Sequence, residues 1–281
     1  MLRKGIALAA LALACLAGPA LAATTHEEPK EISWGVEGPF GRFDQAQLQR
    51  GYKVYREVCS SCHAMNLMYF RNLGQKGGPF YDPKYSNPNN NPYVKAIAKD
   101  YQINDIDSET GDVVQRPGTS ADKFPNPFPN EAAARASNGG ALPPDLSVII
   151  KAREEGPQYL YSLLSGYPAA PPAGLDVAPG KFYNPYYPGD LGAFWKGHGP
   201  APKGGLISMP PPLAPGKVTF DDGKPSTVDQ QARDVVAFLT WASEPKMEER
   251  KQFGLGAMIY LLIFSGLLWG SYRTLWRNVS H

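Results

Sequence analysis

Cys59-Ser60-Ser61-Cys62-His63 sets two thiols three positions apart with an imidazole immediately after them. That spacing is the attachment pattern of a c-type haem. Each thiol can add across one vinyl group of the porphyrin, and a short turn between them matches the distance between the two vinyls. The next residue, His63, then lies under the iron as its proximal ligand. Three other chemistries use cysteines at this spacing: a disulfide, a thioredoxin-like redox pair, and half of a zinc site. A redox pair calls for a strand before it and no histidine after it, and zinc calls for a second pair of ligands.

A second protein ligand decides what such an iron does. A six-coordinate haem exchanges electrons with little rearrangement, whereas an open one binds small ligands. Met65 and Met68 follow His63 too closely to reach the opposite haem face, Met258 and Met247 lie in or beside an apolar terminal segment, and His26 and His281 lie near the ends. Met209 and His198 remain. Met209 stands in Leu206-Ile207-Ser208-Met209-Pro210-Pro211-Pro212, where an extended, proline-stiffened loop would keep a ligand from swinging away. A gap-filling core methionine is the alternative there. His198, between Gly197 and Gly199, reads as an exposed or hydrogen-bonding residue.

Helices must deliver these groups. Asp44 with Gln47 resembles a capping box, and Leu48, Gly51, Tyr52, Tyr55 and Val58 then share a face of a helix leading to Cys59. Gly51 suits either a close helix–helix approach or an ordinary core position. Short helices are expected near 94–98 and 132–137. Asn138-Gly139-Gly140-Ala141-Leu142-Pro143-Pro144 reads as a turn of small residues that a flat cofactor could approach. Asp145 is expected to cap a helix presenting Leu146, Ile149 and Ile150, and Pro157 and Gly166 bracket another around 159–165. Thr227 with Gln230 opens a last amphipathic helix reaching about Trp241. The long stretches 71–130 and 167–226 read as loop, in keeping with 28 prolines in 281 residues, about twice the usual share. Asp100, Asp105, Asp107, Glu109 and Asp112 form an acidic run, either a solvated loop or a docking surface for a basic partner. The expected architecture is mainly α: a class I c-type cytochrome core with long Pro/Gly-rich loops and one C-terminal transmembrane helix.

Targeting signals fix the compartment. Arg3 and Lys4, an apolar run, and Ala20-Leu21-Ala22 read as a secretory signal peptide over 1–22. Its removal takes away Cys15 and leaves Cys59 and Cys62, so no structural disulfide is expected. An exported haem domain over 23–245 follows, then a juxtamembrane linker at 246–252, a single membrane span at 253–275 and a cytoplasmic tail at 276–281. The exported domain holds 21 basic against 24 acidic residues, which argues against nucleic acid as a partner.

With these residues in view, the chain resembles the cytochrome c1 family, the haem subunits of the ubiquinol–cytochrome c reductase (cytochrome bc1) complex, in its bacterial form. The likeness rests on Gly51-Tyr52-Lys53-Val54-Tyr55 leading into the haem motif, on Pro127-Phe128-Pro129-Asn130-Glu131-Ala132-Ala133-Ala134-Arg135-Ala136 and on Gly140-Ala141-Leu142-Pro143-Pro144-Asp145-Leu146-Ser147. Lys151-Ala152-Arg153, Tyr159, Leu163, Leu164, Gly166, Tyr167, Ser208-Met209-Pro210 and the terminal span extend it. The resemblance implies one covalent haem c on Cys59 and Cys62, with His63 and Met209 as iron ligands. Asn138, Ala141, Pro143 and Pro144 would line the pocket, Arg153 would pair a haem propionate, and Tyr159 would sit at the same edge. A surface arginine is the plain reading of Arg153 without it. The family usually has a second Asn where Gly139 stands, and some members have a disulfide that this chain lacks the cysteines to form.

The resemblance further implies electron transfer from a Rieske iron–sulfur protein to a soluble or tethered cytochrome c, beside a cytochrome b subunit, in a dimeric complex of a respiratory or photosynthetic chain. The chain would be an electron carrier with no acid–base catalytic site of its own, anchored in the bacterial inner membrane with its haem domain in the periplasm. The alternatives are an independent membrane-tethered carrier feeding an oxidase or reductase, and an open-site haem enzyme.

Overall fold

The computed structural model describes residues 25–278; the signal-peptide reading and the last three residues of the tail lie outside it. Two helices cross at the centre. Helix α1, Gln45–Val54, starts where the Asp44 carboxylate accepts the Gln47 N–H at 2.6 Å, and its buried side carries Leu48, Gly51, Tyr52 and Val54. Helix α5, Val228–Ser243, starts on the Thr227 hydroxyl, which accepts the Gln230 N–H at 3.1 Å. An added Cβ on Gly51 would lie 2.0 Å from the Asp234 carbonyl oxygen, so only glycine permits this approach. Arg50 ties the crossing from the side, with Nε 2.8 Å from the fully buried Asp234 carboxylate.

Around the crossing, Tyr52, Tyr55, Phe70, Phe124, Phe238 and Trp241 form one aromatic core, with Phe70 and Phe124 centroids 4.9 Å apart. Helix α2, Pro92–Lys99, is capped by the buried Asn91 and packs Val94 and Ala98 inward. Helix α3, Glu131–Ser137, and helix α4, Gly156–Ser165, complete the domain. The arm ahead of α1 is extended and bonded along its length. Thr25 O accepts from Gly204 N, Glu27 N donates to Pro185 O, and Lys30 N donates to Ser162 Oγ. Trp34 is buried edge-on to Tyr161, while Phe40 remains exposed.

Three expectations change. Residues 102–117 are a hairpin, with β1, Gln102–Ile106, antiparallel to β2, Val113–Pro117. Within the acidic run Asp105 pairs with Arg116 and Asp100 with Arg56, so those two charges are locally neutralised. A second ribbon joins β3, Phe182–Asn184, to β4, Gly205–Ile207, inside the stretch read as loop. No helix follows Asp145. One of its carboxylate oxygens accepts the Ser147 N–H two residues on, and the other is taken by Asn66 N, so 146–152 is a set of turns. The juxtamembrane stretch 247–252 is helical, forming the opening turns of α6, Met247–Trp276.

Helix α6 has 30 residues, about 45 Å at 1.5 Å per residue, and is the one helix among the described residues long and apolar enough to cross a membrane. Its apolar side chains are exposed all round, which suits a lipid-facing anchor and not a core helix. The domain grips its start: Glu248 accepts the Phe43 N–H at 2.8 Å, and Lys251 donates to the Val36 carbonyl.

Candidate functional site

Helix α1 ends in a wider turn, Tyr55–Cys59, in which the Ser60 N–H reaches five residues back to the Tyr55 carbonyl at 2.9 Å. Such insertions reset the direction of a helix and recur at functional sites. The Cys59 carbonyl then accepts from both Cys62 N, at 3.1 Å, and His63 N, at 2.9 Å, closing the pentapeptide into one tight turn. Both cysteines are free and half-buried. Burial pushes the Cys59 thiol up to about 12, with the Lys217 ammonium pulling weakly the other way. A catalytic redox cysteine needs the opposite shift, so the pair does not suit thioredoxin-like exchange.

Four hydrogen bonds clip the residues after the motif to residues 144–147. His63 Nδ1 meets the Pro144 carbonyl at 2.8 Å, Ala64 O accepts from Leu146 N at 2.8 Å, Asn66 N donates to Asp145 at 2.8 Å, and Leu67 N donates to Ser147 Oγ at 3.0 Å. A carbonyl can only accept, so His63 carries its proton on Nδ1 and leaves the Nε2 lone pair for a ligand. Burial holds the imidazole below its usual range, against the opposing pull of the Pro144 carbonyl and Asp145, so the ring is neutral at pH 7.

Pro144 reaches His63 because α3 ends in two left-handed glycines, Gly139 at φ 59° and Gly140 at φ 86°, which reverse the chain. Neither would meet any atom within 4 Å through an added Cβ, so the turn has open space in front of it. Asn138 secures the turn, donating from its amide to the Ala134 carbonyl at 2.7 Å while its own carbonyl accepts from Ala141 N at 3.1 Å. Ala141 and Pro143 are half-buried, and Leu142 and Pro144 are exposed.

Met209, half-buried, packs against the core just beyond β4, and its carbonyl accepts from the Tyr167 hydroxyl at 2.9 Å. Tyr167 in turn neighbours the buried Tyr159, and the exposed Arg153 acts electrostatically on Tyr159. Burial raises the phenol of Tyr159, and Arg153 offsets part of that rise. The expected site residues therefore fall into connected groups: Cys59, Cys62, His63 and Pro144 in one, Asn138 and Ala141 in the turn feeding it, and Arg153, Tyr159 and Met209 in another linked by Tyr167. Lys217, eight residues past Met209, donates to the Pro212 carbonyl at 2.8 Å and acts on the Cys59 thiol, so the segment after the methionine returns to the first group. Asp145, Ser147, Tyr167, Lys181 and Lys217 are contributors that sequence reasoning did not place in the site. Asp145, Ser147 and Tyr167 stand within stretches it did single out, though without a role in the site; Lys181, which donates to Ser208, and Lys217 show only in three dimensions.

Among the described residues no group of three or more His, Cys, Asp or Glu side chains stands together as a metal site, and none adds a second ligand pair to the two thiols. Two free thiols, an imidazole with Nε2 free, and open space before a glycine turn fit an iron porphyrin bound through thioethers.

The Cytochrome C1 family model matches residues 34–279. The chain is 41% identical over 303 residues to a protein named cytochrome b/c1 from Bradyrhizobium diazoefficiens, covering 98% of this chain and 41% of that relative's length. It is 40% identical to cytochrome c1 of Rhodospirillum rubrum, covering 88% and 87% of the two chains. With the mitochondrial cytochrome c1 haem protein of Saccharomyces cerevisiae the identity is 42%, over 82% and 66%. The chain belongs to the cytochrome c1 family.

Proposed function

We propose that this chain carries single electrons through one haem c joined to Cys59 and Cys62, taking them from a Rieske iron–sulfur protein and passing them to a soluble or tethered cytochrome c. The observation that carries the reading is the clip on His63: its Nδ1–H is committed to Pro144 directly after two free thiols, which would leave Nε2 to hold the iron. Met209 would hold the iron as its second protein ligand, a thioether that favours ferrous iron and a high potential. When bound, the haem supplies a one-electron couple. Cys59 and Cys62 would hold it at the end of α1, Asn138, Ala141, Pro143 and Pro144 would line it, and Arg153 would pair a propionate through a charge-assisted contact, with Tyr159 beside it. Among the described residues no carboxylate pairs with Arg153, which leaves its guanidinium available for that role. With His63 and Met209 both holding the iron, small ligands would be kept off it.

The haem domain over 23–245 lies in the periplasm of a bacterium, exported by a cleaved signal peptide over 1–22. The apolar stretch 253–275 of α6 spans the inner membrane, with 276–281 in the cytoplasm; Arg273 and Arg277 at its end support that orientation. A cytochrome b subunit is the neighbour, supported by the relative whose name joins b and c1 on one longer chain. The complex is a dimer that oxidises quinol, and this chain is its electron exit.

Purification through this chain in mild detergent tests the reading. Haem b, an iron–sulfur cluster and quinol-driven cytochrome c reduction should be recovered together. Haem c alone, from fresh membranes and without quinol activity, would instead make the chain an independent tethered carrier.

A further inference from the structure

Among the described residues the cysteines are Cys59 and Cys62, both used by the haem motif, so Met209 has to be held without a disulfide. The structure puts its ties in one short stretch. The β3–β4 ribbon ends at Ile207, opposite Phe182. One residue on, Lys181 Nζ donates to Ser208 Oγ at 2.7 Å, a contact between exposed side chains. At Met209 itself the Tyr167 hydroxyl donates to the main-chain carbonyl at 2.9 Å. Pro210 follows, which fixes the next φ and confines Met209 to extended backbone. The peptide after Met209 is thus held by a ring on one side and a hydrogen bond on the other, with the half-buried side chain packed against the core.

Tyr167 is well placed to bear load. It stands one residue past Gly166, the C-cap of α4, and an added Cβ on Gly166 would sit 2.4 Å from the Tyr186 ring, so the chain there is closely packed. Helix α4 also anchors the ribbon, because the fully buried Asn184 of β3 donates its amide to the Leu163 carbonyl at 2.8 Å. Both ends of the Met209 segment therefore refer to one helix.

We propose that Tyr167 is the positioning residue for Met209, its hydroxyl holding the thioether within reach of the haem iron. The inference rests on Met209 being an axial ligand. An added ligand such as imidazole binds ferric iron only when the thioether is off, so its apparent affinity scales with that minor population. Losing one neutral hydrogen bond should enlarge the population about fivefold.

Imidazole titration of the ferric, haem-loaded full chain in detergent measures this. Tyr167→Phe should bind imidazole about fivefold more tightly than wild type, with a weaker thioether-to-iron charge-transfer band and a lower potential. Tyr183→Phe is the control for general loosening: its hydroxyl donates to the Lys203 carbonyl at 2.6 Å in the same loop but away from Met209, and it should match wild type in all three. Met209→Leu should lose the band. If that variant does lose it while Tyr167→Phe behaves as wild type, or Tyr183→Phe loosens the iron equally, the positioning role is overturned and the ligand stands. If Met209→Leu keeps the band and the wild-type affinity, the ligand reading itself fails and the inference with it.

Discussion

Gly51→Ala probes the helix crossing that carries the haem motif. Its new methyl would lie 2.0 Å from the Asp234 carbonyl oxygen, 2.7 Å from the Asp234 carbonyl carbon and 2.7 Å from Phe238 Cβ. Two of these are backbone atoms and the third is the root of a side chain, so no rotamer change relieves the clash. The helices must part by roughly 1 Å or more to restore ordinary contact, a gap that forfeits a quarter to a half of the dispersion energy across the crossing. Overpacking of this kind costs about 1–3 kcal/mol. Parting also stretches the contact between Arg50 and the buried Asp234 carboxylate, which adds about 2 kcal/mol, part of what breaking a buried pair outright costs. Alanine's better helix propensity returns about 1 kcal/mol. The net expectation is a loss of about 2–4 kcal/mol, or roughly 5–12 °C in Tm for a domain of this size. Thermal unfolding of the haem-loaded full chain in detergent reads it. Gly256→Ala in α6, where an added Cβ meets nothing within 4 Å, is the matched control. A Gly51→Ala variant within about 0.5 kcal/mol of wild type, the ordinary range for a surface change, would refute the close crossing.

Asp145→Ala removes the acceptor of two backbone N–H groups, from Asn66 and Ser147, and should cost about 2 kcal/mol in the same melting assay, with Asn restoring part of it; no loss would mean the clip on His63 does not depend on Asp145. The Arg116 guanidinium holds the Asp122 carboxyl well below the usual carboxylate range, so that pair's contribution is full above the unfolded value near 4 and drains away as pH falls through the lowered one. Asp122→Asn should flatten the fall in denaturation midpoint below pH 4, and an unchanged slope there would contradict the pairing. Arg153→Leu should lower the haem potential by about 20–60 mV, the equivalent of roughly a two- to tenfold shift in a one-electron equilibrium, as seen in a redox titration; an unmoved potential would remove Arg153 from the propionate.

How far the sequence speaks depends on how local the cause is. Helices α1 and α5 are legible because their caps, Asp44 and Thr227, and their apolar faces are written in a few consecutive residues. The haem motif is legible because its chemistry needs neighbours in the chain. The β1–β2 hairpin is hidden by its own exposure: Gln-Ile-Asn-Asp-Ile faces solvent nearly throughout and offers no apolar alternation to read. The β3–β4 ribbon joins segments 20 residues apart through three pairs, with nothing local to announce it. Asp145 misleads because a capping residue and a tertiary clip look identical until Asn66 claims one oxygen. The wide turn at Tyr55–Cys59 reads as plain helix, since its extra residue is a matter of hydrogen-bond register and not of residue type. Tyr167 and Lys217 reach the site from 42 residues before Met209 and from beyond the proline run, contacts that no spacing rule contains.

Covalent haem on Cys59 and Cys62 underlies the electron-carrier reading, and the mass of the denatured, processed chain from native membranes reads it directly. The mass should equal that of residues 23–281 plus one haem, and it should return to the bare polypeptide when both cysteines are changed to alanine. A wild-type chain with the mass of bare polypeptide, or of polypeptide with a Cys59–Cys62 disulfide, would contradict the reading.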